Sequence, residues 1–332
     1  MAKILGIIGG GQLGMMLTEA AKTMPEYISK VIVLDPNQNC SASLVGAEQI
    51  IADFKDRDAI IELSKKADII TYEIESGDSD VLKSVESNAQ VSPSPDTLKI
   101  IQDKLLQKQF LSDNNIPVPE FIKIDDLDDL KNGLEKFGFP ALLKARRDAY
   151  DGKGNYKIDS EKDVQKAFDY FKGKPLLLEK FIPFEMEVSV IAARNTMGQI
   201  KSYPLVENIH EKNILRQTIA PARVPKQIIS EADQIAEKTM SVLKGAGIFG
   251  IEMFVTKEGH ILINEIAPRV HNSGHHTMQS GKTSQFEQHL RAILGLELEN
   301  TKLTYNTIMY NILGNSDFEG KYKKIELAEK NI

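Results

Sequence analysis

The sequence predicts an α/β unit followed by a second unit of mixed α+β type. Three observations carry this. Strand and helix signals alternate from Lys3 to Glu73, a glycine-rich turn joins the first strand to the first helix, and a late apolar pattern reads as a hairpin instead of another strand–helix step.

Lys3–Ile8 is a short apolar run that glycines bound, so it reads as a buried strand. Gln12–Lys22 has helical periodicity, and Lys30–Asp35 is a second strand. Glu48–Ala52 and Asp68–Glu73 follow as strands, with a charged helix at Asp56–Lys66 between them. Such alternation implies a parallel sheet with helices on its faces. Ser92-Pro93-Ser94-Pro95-Asp96 interrupts the pattern and starts a helix expected to run to about Asp113, where Ile116-Pro117-Val118-Pro119 breaks the chain again. The second unit starts near Phe121. It carries a strand at Pro140–Lys144, a polar loop at Arg146–Asn155, a helix at Ser160–Phe171 and strands at Pro175–Glu179 and Glu185–Ala193. A helix at Ser230–Lys244 precedes the hairpin candidate Phe249–Val255 and His260–Ile266, which turns at Glu258-Gly259. Thr283–Leu294 is a helix, and the tail after Thr301 holds one short strand and then mostly charge.

A length of 332 residues suits two or three domains packed together. Hydrophobic residues at 42% and charged residues at 27% exclude wholesale disorder. The 41 basic against 47 acidic residues give a net charge of −6, so no basic surplus points to nucleic acid. The single cysteine, Cys40, forbids an intrachain disulfide and reads as a structural thiol in a reducing compartment. No apolar run approaches the roughly 18 residues of a membrane span, and the apolar N-terminus breaks into glycines too soon for a signal peptide. The default expectation is a cytoplasmic protein without membrane contact.

Gly9-Gly10-Gly11-Gln12-Leu13-Gly14 follows a strand and opens a helix, matching the G-x-G-x-x-G pattern, and Asp35 ends the next strand where a ribose-binding acid would sit. The glycines admit an anion and the helix N-terminus offers unpaired N–H groups. A dinucleotide, the phosphate of another substrate, or a tight turn alone would each account for it. Glu73 lies at the C-terminal end of a parallel strand, so it either faces a ligand or is a solvated carboxylate.

A two-residue hairpin loop at Glu258-Gly259 would pair Val255 with Leu262, Phe254 with Ile263, and Glu252 with Glu265. Two glutamates face to face repel unless one is protonated, a base intervenes or a cation bridges them. Magnesium shared with nucleotide phosphates is one such cation; the alternative is that both face solvent. Lys144 ends an apolar strand, where its ammonium demands an anionic partner. The loop from Tyr150 to Asn155, with two glycines and Lys153, suits either a flap over a polyphosphate or a plain surface turn. Three of the six histidines lie in Arg269-Val270-His271-Asn272-Ser273-Gly274-His275-His276; without cysteine partners, an anion site fits better than zinc.

Taken together, four stretches resemble the N5-carboxyaminoimidazole ribonucleotide synthase family of the ATP-grasp superfamily. They are Gly-Gly-Gly-Gln-Leu-Gly at 9–14, Tyr-Asp-Gly-Lys-Gly-Asn at 150–155, Ile-Leu-Arg at 214–216 and Asn-Glu-Ile-Ala-Pro-Arg-Val-His-Asn-Ser-Gly-His at 264–275. The resemblance implies a Rossmann-like domain over 1–95, an ATP-grasp domain over 96–295 and part of a small C-terminal domain over 296–332. It implies a homodimer and a reaction in purine biosynthesis. ATP would phosphorylate bicarbonate to carboxyphosphate, and the carboxyl group would pass to the amine of 5-aminoimidazole ribonucleotide.

By resemblance, Lys104 and Lys144 meet ATP phosphates under a loop formed by Ala149, Tyr150, Asp151, Gly152, Lys153, Gly154 and Asn155. Glu179, Lys180, Phe181 and Ile182 match the linker that grips adenine, Glu187 the ribose acid, and His210 and Asn264 further nucleotide contacts. Glu252 and Glu265 match ligands of Mg2+, and Arg269, His271 and Asn272 would surround bicarbonate and carboxyphosphate. Glu73, Tyr150 and Lys153 would meet the aminoimidazole ribonucleotide, with N–H groups of Gln12 and Leu13 on its phosphate. Three positions depart from the family. Asp148-Ala149 stands where it has Gly-Gly, Met15 stands where it has arginine, and no basic C-terminal segment appears before Ile332, so weak binding of the ribonucleotide phosphate is expected. A formate-using glycinamide ribonucleotide transformylase, a nicotinamide oxidoreductase and a non-enzymatic nucleotide binder are the rival readings. The first lacks the Tyr-Asp-Gly loop and the His-Asn-Ser-Gly-His stretch; the second leaves Glu252 and Glu265 unexplained.

Overall fold

A computed structural model describes residues 1–148 and 154–312 of the chain. Five parallel strands form the first sheet: β1 (Lys3–Ile8), β2 (Ile28–Leu34), β3 (Glu48–Ile50), β4 (Ile69–Tyr72) and β5 (Gln90–Val91), in the order β3-β2-β1-β4-β5. The helix Gln12–Lys22 covers one face through Leu17 and Ala21, and Arg57–Lys66 covers the other through Ile60 and Leu63. The order reverses at β1, which puts the glycine turn and the end of β4 side by side at the carboxyl edge. β5 and the helix Ser79–Ser84 are additions to the sequence expectation; two and six residues are too few to show a period.

The helix expected to continue to Asp113 is two helices, Pro95–Ile101 and Lys104–Asp113. Asp103 makes the break. Its backbone is extended and its carboxylate accepts from the N–H groups of Leu105 and Leu106, which starts a new helix. The same carboxylate takes two hydrogen bonds from Arg146 and one from Arg147.

The second unit holds two antiparallel sheets. The smaller comprises β6 (Phe121–Ile124), β7 (Ala141–Ala145), β8 (Asn155–Ile158) and β9 (Leu176–Lys180) in the order β6-β9-β7-β8, backed by the helices Leu127–Phe137 and Val164–Tyr170. The larger comprises β10 (Phe184–Arg194), β11 (Ile200–Ser202), β12 (Val206–Glu211), β13 (Ile214–Ala220), β14 (Gly247–Thr256), β15 (Ile261–Ala267) and β16 (Thr307–Tyr310). Its main path is β15-β14-β10-β12-β13-β16, with β11 on β10, and the helix Lys226–Leu243 backs it. β11, β12 and β13 escape a hydrophobic reading because polar and charged side chains such as Lys201, Glu207, Asn208, Arg216 and Gln217 interrupt their apolar residues.

The β14–β15 hairpin differs from expectation in a specific way. Thr256 bonds to His260, so the loop has three residues, with Gly259 at φ +80°. Val255 therefore pairs with Ile261 and Phe254 with Leu262, one residue off the two-residue register. A bulge at Asn264 restores the count, and Glu252 faces Glu265 as expected.

One helix, Gln285–Ile293, joins the units. Phe286 and Leu290 share a core with Leu17 of the first unit and with Ile191 and Ile248 of the large sheet. β16, from the expected C-terminal domain, pairs antiparallel with β13 at the large sheet's edge. Among the described residues no helix is long and apolar enough to cross a membrane.

Candidate functional site

A cleft of about 680 Å³ opens between the small and large sheets. Lys144, Gly154, Asn155 and Phe181 reach it from the small sheet and its loops, and Glu187, His210, Glu252, Asn264 and Glu265 from the large one. Lys104, Arg269, His271 and Asn272 close its inner end. These thirteen come from all the chemical groupings of the sequence reading except the aminoimidazole set.

At the inner end stand the opposed glutamates. Burial, and then the charge of Glu265, raise the Glu252 carboxyl to about 7. Burial also works against the charge on Glu265, but the Lys104 ammonium 2.5 Å away outweighs it and holds its pKa below the usual carboxylate range. The two environments push the pair apart, so near neutral pH one carboxyl is readily protonated while the other stays ionised. The donor set is all oxygen, with Asn264 on the bulge between them, which suits a hard cation that shares its shell with phosphate and water. Among the described residues no group of three or more His, Cys, Asp or Glu is placed to hold a metal ion.

Beneath the cleft lies an ion cluster. Glu179 is 1% exposed; Lys144 donates to its Oε1 at 2.7 Å, and the Lys108 Nζ lies 2.7 Å from Oε2. Burial opposes its charge, but the two lysines bring its pKa down to about 2. Lys144 thus finds the anionic partner its position demanded. Glu179 is turned into this cluster, and Lys180 points outward to Glu120 at 2.6 Å. Of the linker, Phe181 lines the cleft beneath the Lys157 ammonium, and Ile182 is half-buried. Beyond it, Phe184 and Phe254 stack with centroids 4.6 Å apart.

Glu187 and His210 form a pair, Oε2 to Nδ1 at 2.5 Å. Burial disfavours the imidazolium, yet the hydrogen bond and charge of Glu187 raise the histidine's pKa. His271 is different: burial first, then Arg269, lower it to about 3, so it is neutral. Its Nε2 lies 3.3 Å from Glu252 Oε1. Arg269 lies 2.8 Å from Glu75 Oε1 and donates to the Val270 carbonyl, which fixes its fork at the end of the cleft.

A smaller cavity of about 270 Å³ shares Lys104 and Glu265 with this cleft and extends past Glu75, Gly77, Arg146 and Arg147 toward the first sheet. There the glycine turn meets β4. Glu73 does not open into the cleft; its carboxylate accepts the N–H groups of Gly11 and Gly14 and caps the helix Gln12–Lys22, which has no cap of its own. Burial raises its pKa, and those two N–H groups pull against the rise. Gly14 is required here, because a Cβ would stand 2.6 Å from the Gly9 carbonyl oxygen. The N–H groups of Gln12 and Leu13 remain without a partner among the described residues. Asp35 is buried and spends both oxygens on Gly10 and Asn37, so it is no ribose acid and the dinucleotide reading loses its second half. Cys40 is a buried free thiol, and a Cβ on Gly10 would meet its Sγ at 2.4 Å, as a structural role requires.

Ala149, Tyr150, Asp151, Gly152 and Lys153 lie outside the described residues. Sequence reasoning missed Lys108, Glu75, Asp103 and Arg146. Lys108 had a signal: it stands one helical turn after Lys104, on the same face. The others became visible only with their partners.

The family model of the ribonucleotide synthetase preATP-grasp domain matches residues 1–102, and that of the ATP-grasp domain matches residues 109–286. The phosphoribosylaminoimidazole carboxylase of Schizosaccharomyces pombe is 44% identical over 95% of this chain and 58% of its own length. The N5-carboxyaminoimidazole ribonucleotide synthase of Bacillus subtilis is 40% identical over 94% of this chain and 81% of its own. A crystal structure of the N5-carboxyaminoimidazole synthase of Aspergillus clavatus, in complex with ADP and 5-aminoimidazole ribonucleotide, superposes with a TM-score of 0.89 at 35% identity, covering 95% of this chain and 83% of that one. The chain spans about three-fifths of the length of the yeast relatives it matches.

Proposed function

The chain belongs to the ATP-grasp family, among the N5-carboxyaminoimidazole ribonucleotide synthases, and from that premise we propose that it couples ATP cleavage to carboxylation of 5-aminoimidazole ribonucleotide with bicarbonate. The observation that carries this reading is the facing pair Glu252 and Glu265, set between Lys104 and His271 in the cleft between two sheets.

In this reading the nucleotide lies along the cleft, its base against Phe181 and its ribose at Glu187 and His210. Its phosphates meet Lys104, Lys144, Gly154, Asn155 and Asn264, and Ala149, Tyr150, Asp151, Gly152 and Lys153 cover them. Glu252 and Glu265 would hold magnesium, which supplies charge neutralisation to the phosphates. Arg269 presents its planar fork to bicarbonate and to the oxygens of carboxyphosphate. Neutral His271 and Asn272 donate hydrogen bonds there without adding charge. Bicarbonate oxygen attacks the γ-phosphorus, ADP leaves, and carboxyphosphate gives its carboxyl group to the exocyclic amine as phosphate departs. The residues contribute chiefly by positioning and charge stabilisation. The ribonucleotide would enter along the smaller cavity, with its phosphate on the free N–H groups of Gln12 and Leu13 and its heterocycle toward Glu73, Tyr150 and Lys153. The homodimer and the cytoplasmic setting implied by the resemblance belong to the same reading.

ADP release with each substrate omitted in turn tests it. Turnover should require magnesium, bicarbonate and 5-aminoimidazole ribonucleotide together. Equal stimulation by formate with glycinamide ribonucleotide would overturn the reading.

A further inference from the structure

Behind His271 runs a line of buried polar side chains that the mechanism above does not use. Thr218 on β13, Ser189 on β10 and Ser273 in the turn after β15 are fully buried, and Asn208 on β12 is 5% exposed. Thr218 Oγ1 donates to Asn208 Oδ1 at 3.0 Å, and Asn208 Nδ2 donates to Ser189 Oγ at 2.8 Å. Ser189 Oγ donates to Ser273 Oγ at 2.8 Å, and Ser273 Oγ lies 2.9 Å from His271 Nδ1.

The direction is fixed at the asparagine, whose Nδ2 can only donate: Ser189 then gives its one hydrogen to Ser273, and Ser273 gives its own to Nδ1. The backbone N–H of Ser273 also points at Nδ1, from 3.4 Å, too long to hold the ring by itself. Nδ1 is therefore the acceptor and Nε2 carries the proton, 3.3 Å from Glu252 Oε1. Ser189 and Ser273 each receive one hydrogen bond and pass one on. A line of polar groups buried where apolar side chains would pack adds little net stability. What it does supply is a single orientation for every member, because reversing one bond leaves its neighbours with two donors or two acceptors in contact.

We propose that Ser273, Ser189 and Asn208 are positioning residues for His271, forming a one-way chain of hydrogen bonds that keeps the imidazole proton on Nε2. The proposal rests on the reaction assigned above to this cleft. With the proton on Nε2, His271 presents a donor beside Glu252 to a bicarbonate oxygen. With the proton on Nδ1, a lone pair would face those same oxygens and repel them.

Asn208→Asp tests this with little change of shape. Burial raises a carboxyl's pKa, so the variant is read at about pH 9, where the ionised carboxylate only accepts. It would still take the Thr218 hydrogen, but it would also pull the Ser189 hydrogen toward itself. Ser273 would then donate to Ser189, and Nδ1 would have to supply the proton between itself and Ser273. Nitrogen NMR on 15N-imidazole-labelled protein separates the two tautomers without any substrate. The His271 signal among the six histidines is identified by its loss in His271→Gln. Wild type should show the Nε2–H form and Asn208→Asp the Nδ1–H form. Bicarbonate-dependent ADP release should fall about tenfold or more, with the KM for ATP within about twofold. If Asn208→Asp does not fold, Ser273→Ala, which removes the hydroxyl at Nδ1, should give a mixture of tautomers and the same split between kcat and KM. Persistence of the pure Nε2–H form in folded Ser273→Ala, or in Asn208→Asp once its carboxylate is ionised, would overturn the proposal. A wild type that shows the Nε2–H form yet has no bicarbonate-dependent turnover would support the chain of hydrogen bonds and remove the reaction.

Discussion

Lys108 keeps an ammonium in the interior, 2% exposed, with burial lowering its pKa and Glu179 opposing that shift. Neither lysine beside Glu179 can be removed without leaving the carboxylate with half its partners. Breaking a buried pair on one side typically costs about 3–5 kcal/mol. Lys108→Met keeps much of the volume and should destabilise the protein by about 3 kcal/mol in urea unfolding; a change under about 1 kcal/mol would mean that Lys144 alone suffices. A second single-residue prediction concerns room and not charge. A Cβ on Gly250 would stand 2.6 Å from His271 Cγ, so Gly250→Ala should push the imidazole off Glu252. ADP release is expected to fall about a hundredfold, the usual loss for one misplaced transition-state donor, while thermal stability drops little. Unchanged turnover would remove His271 from the mechanism. Gly250 was not legible, because it sits in an ordinary apolar run, and Lys108 showed only its helical spacing from Lys104, because a buried lysine looks like a surface one until its partner is known.

At the scale of elements, the long periodic pieces were legible because burial on one face writes a period into the sequence. β1 and the helix Gln12–Lys22 stand at their expected ends. The hairpin shows the limit. Its apolar partners match equally well in two registers one residue apart, so the pattern could not tell a two-residue loop from a three-residue one. Glu252 still faces Glu265 because the bulge at Asn264 cancels the longer loop. The break before Lys104 was hidden for another reason: it depends on Arg146 and Arg147, which are distant in sequence. Burial opposes the Asp103 charge, but the arginines prevail and hold its pKa below the usual value. Asp103 thus has two jobs, as N-cap and as anion. Asp103→Asn keeps an acceptor for the helix N–H groups and loses the charge; Asp103→Ala loses both. The alanine variant should be less stable than the asparagine variant by about 1 kcal/mol, the usual worth of a cap. Equal stability would assign the whole effect to the arginines.

For the whole molecule, the two units and their order were legible, and the way they are fastened together was not. His289 carries that junction. It sits fully buried on the helix Gln285–Ile293, takes the Ile248 N–H on Nδ1 at 3.1 Å, and its Nε2 lies 2.8 Å from Thr71 Oγ1 on β4. One imidazole thus bridges the first sheet, the joining helix and the large sheet. Nothing in the sequence around His289 marks it, since its partners lie 218 and 41 residues away. Burial lowers its pKa to about 3, against about 6.5 in an unfolded chain. Above pH 6.5 both states leave it neutral, and its stabilising contribution is complete. As pH falls from 6.5 toward 3, the unfolded chain takes up a proton that the folded one refuses, and stability drops by up to about 1.4 kcal/mol per unit from this group. His275 and His276, each lowered to about 4 by burial, act in the same direction. His289→Gln can keep the donor to Thr71 but cannot be protonated. It should lower the unfolding temperature at pH 7.5, where the Ile248 N–H loses its partner, and then lose less than wild type between pH 6.5 and 4.5. Unfolding curves for both proteins at those three pH values decide it. If the two lose stability in parallel over that interval, His289 is not among the groups that make the junction acid-sensitive, and His271, His275 and His276 must account for the slope.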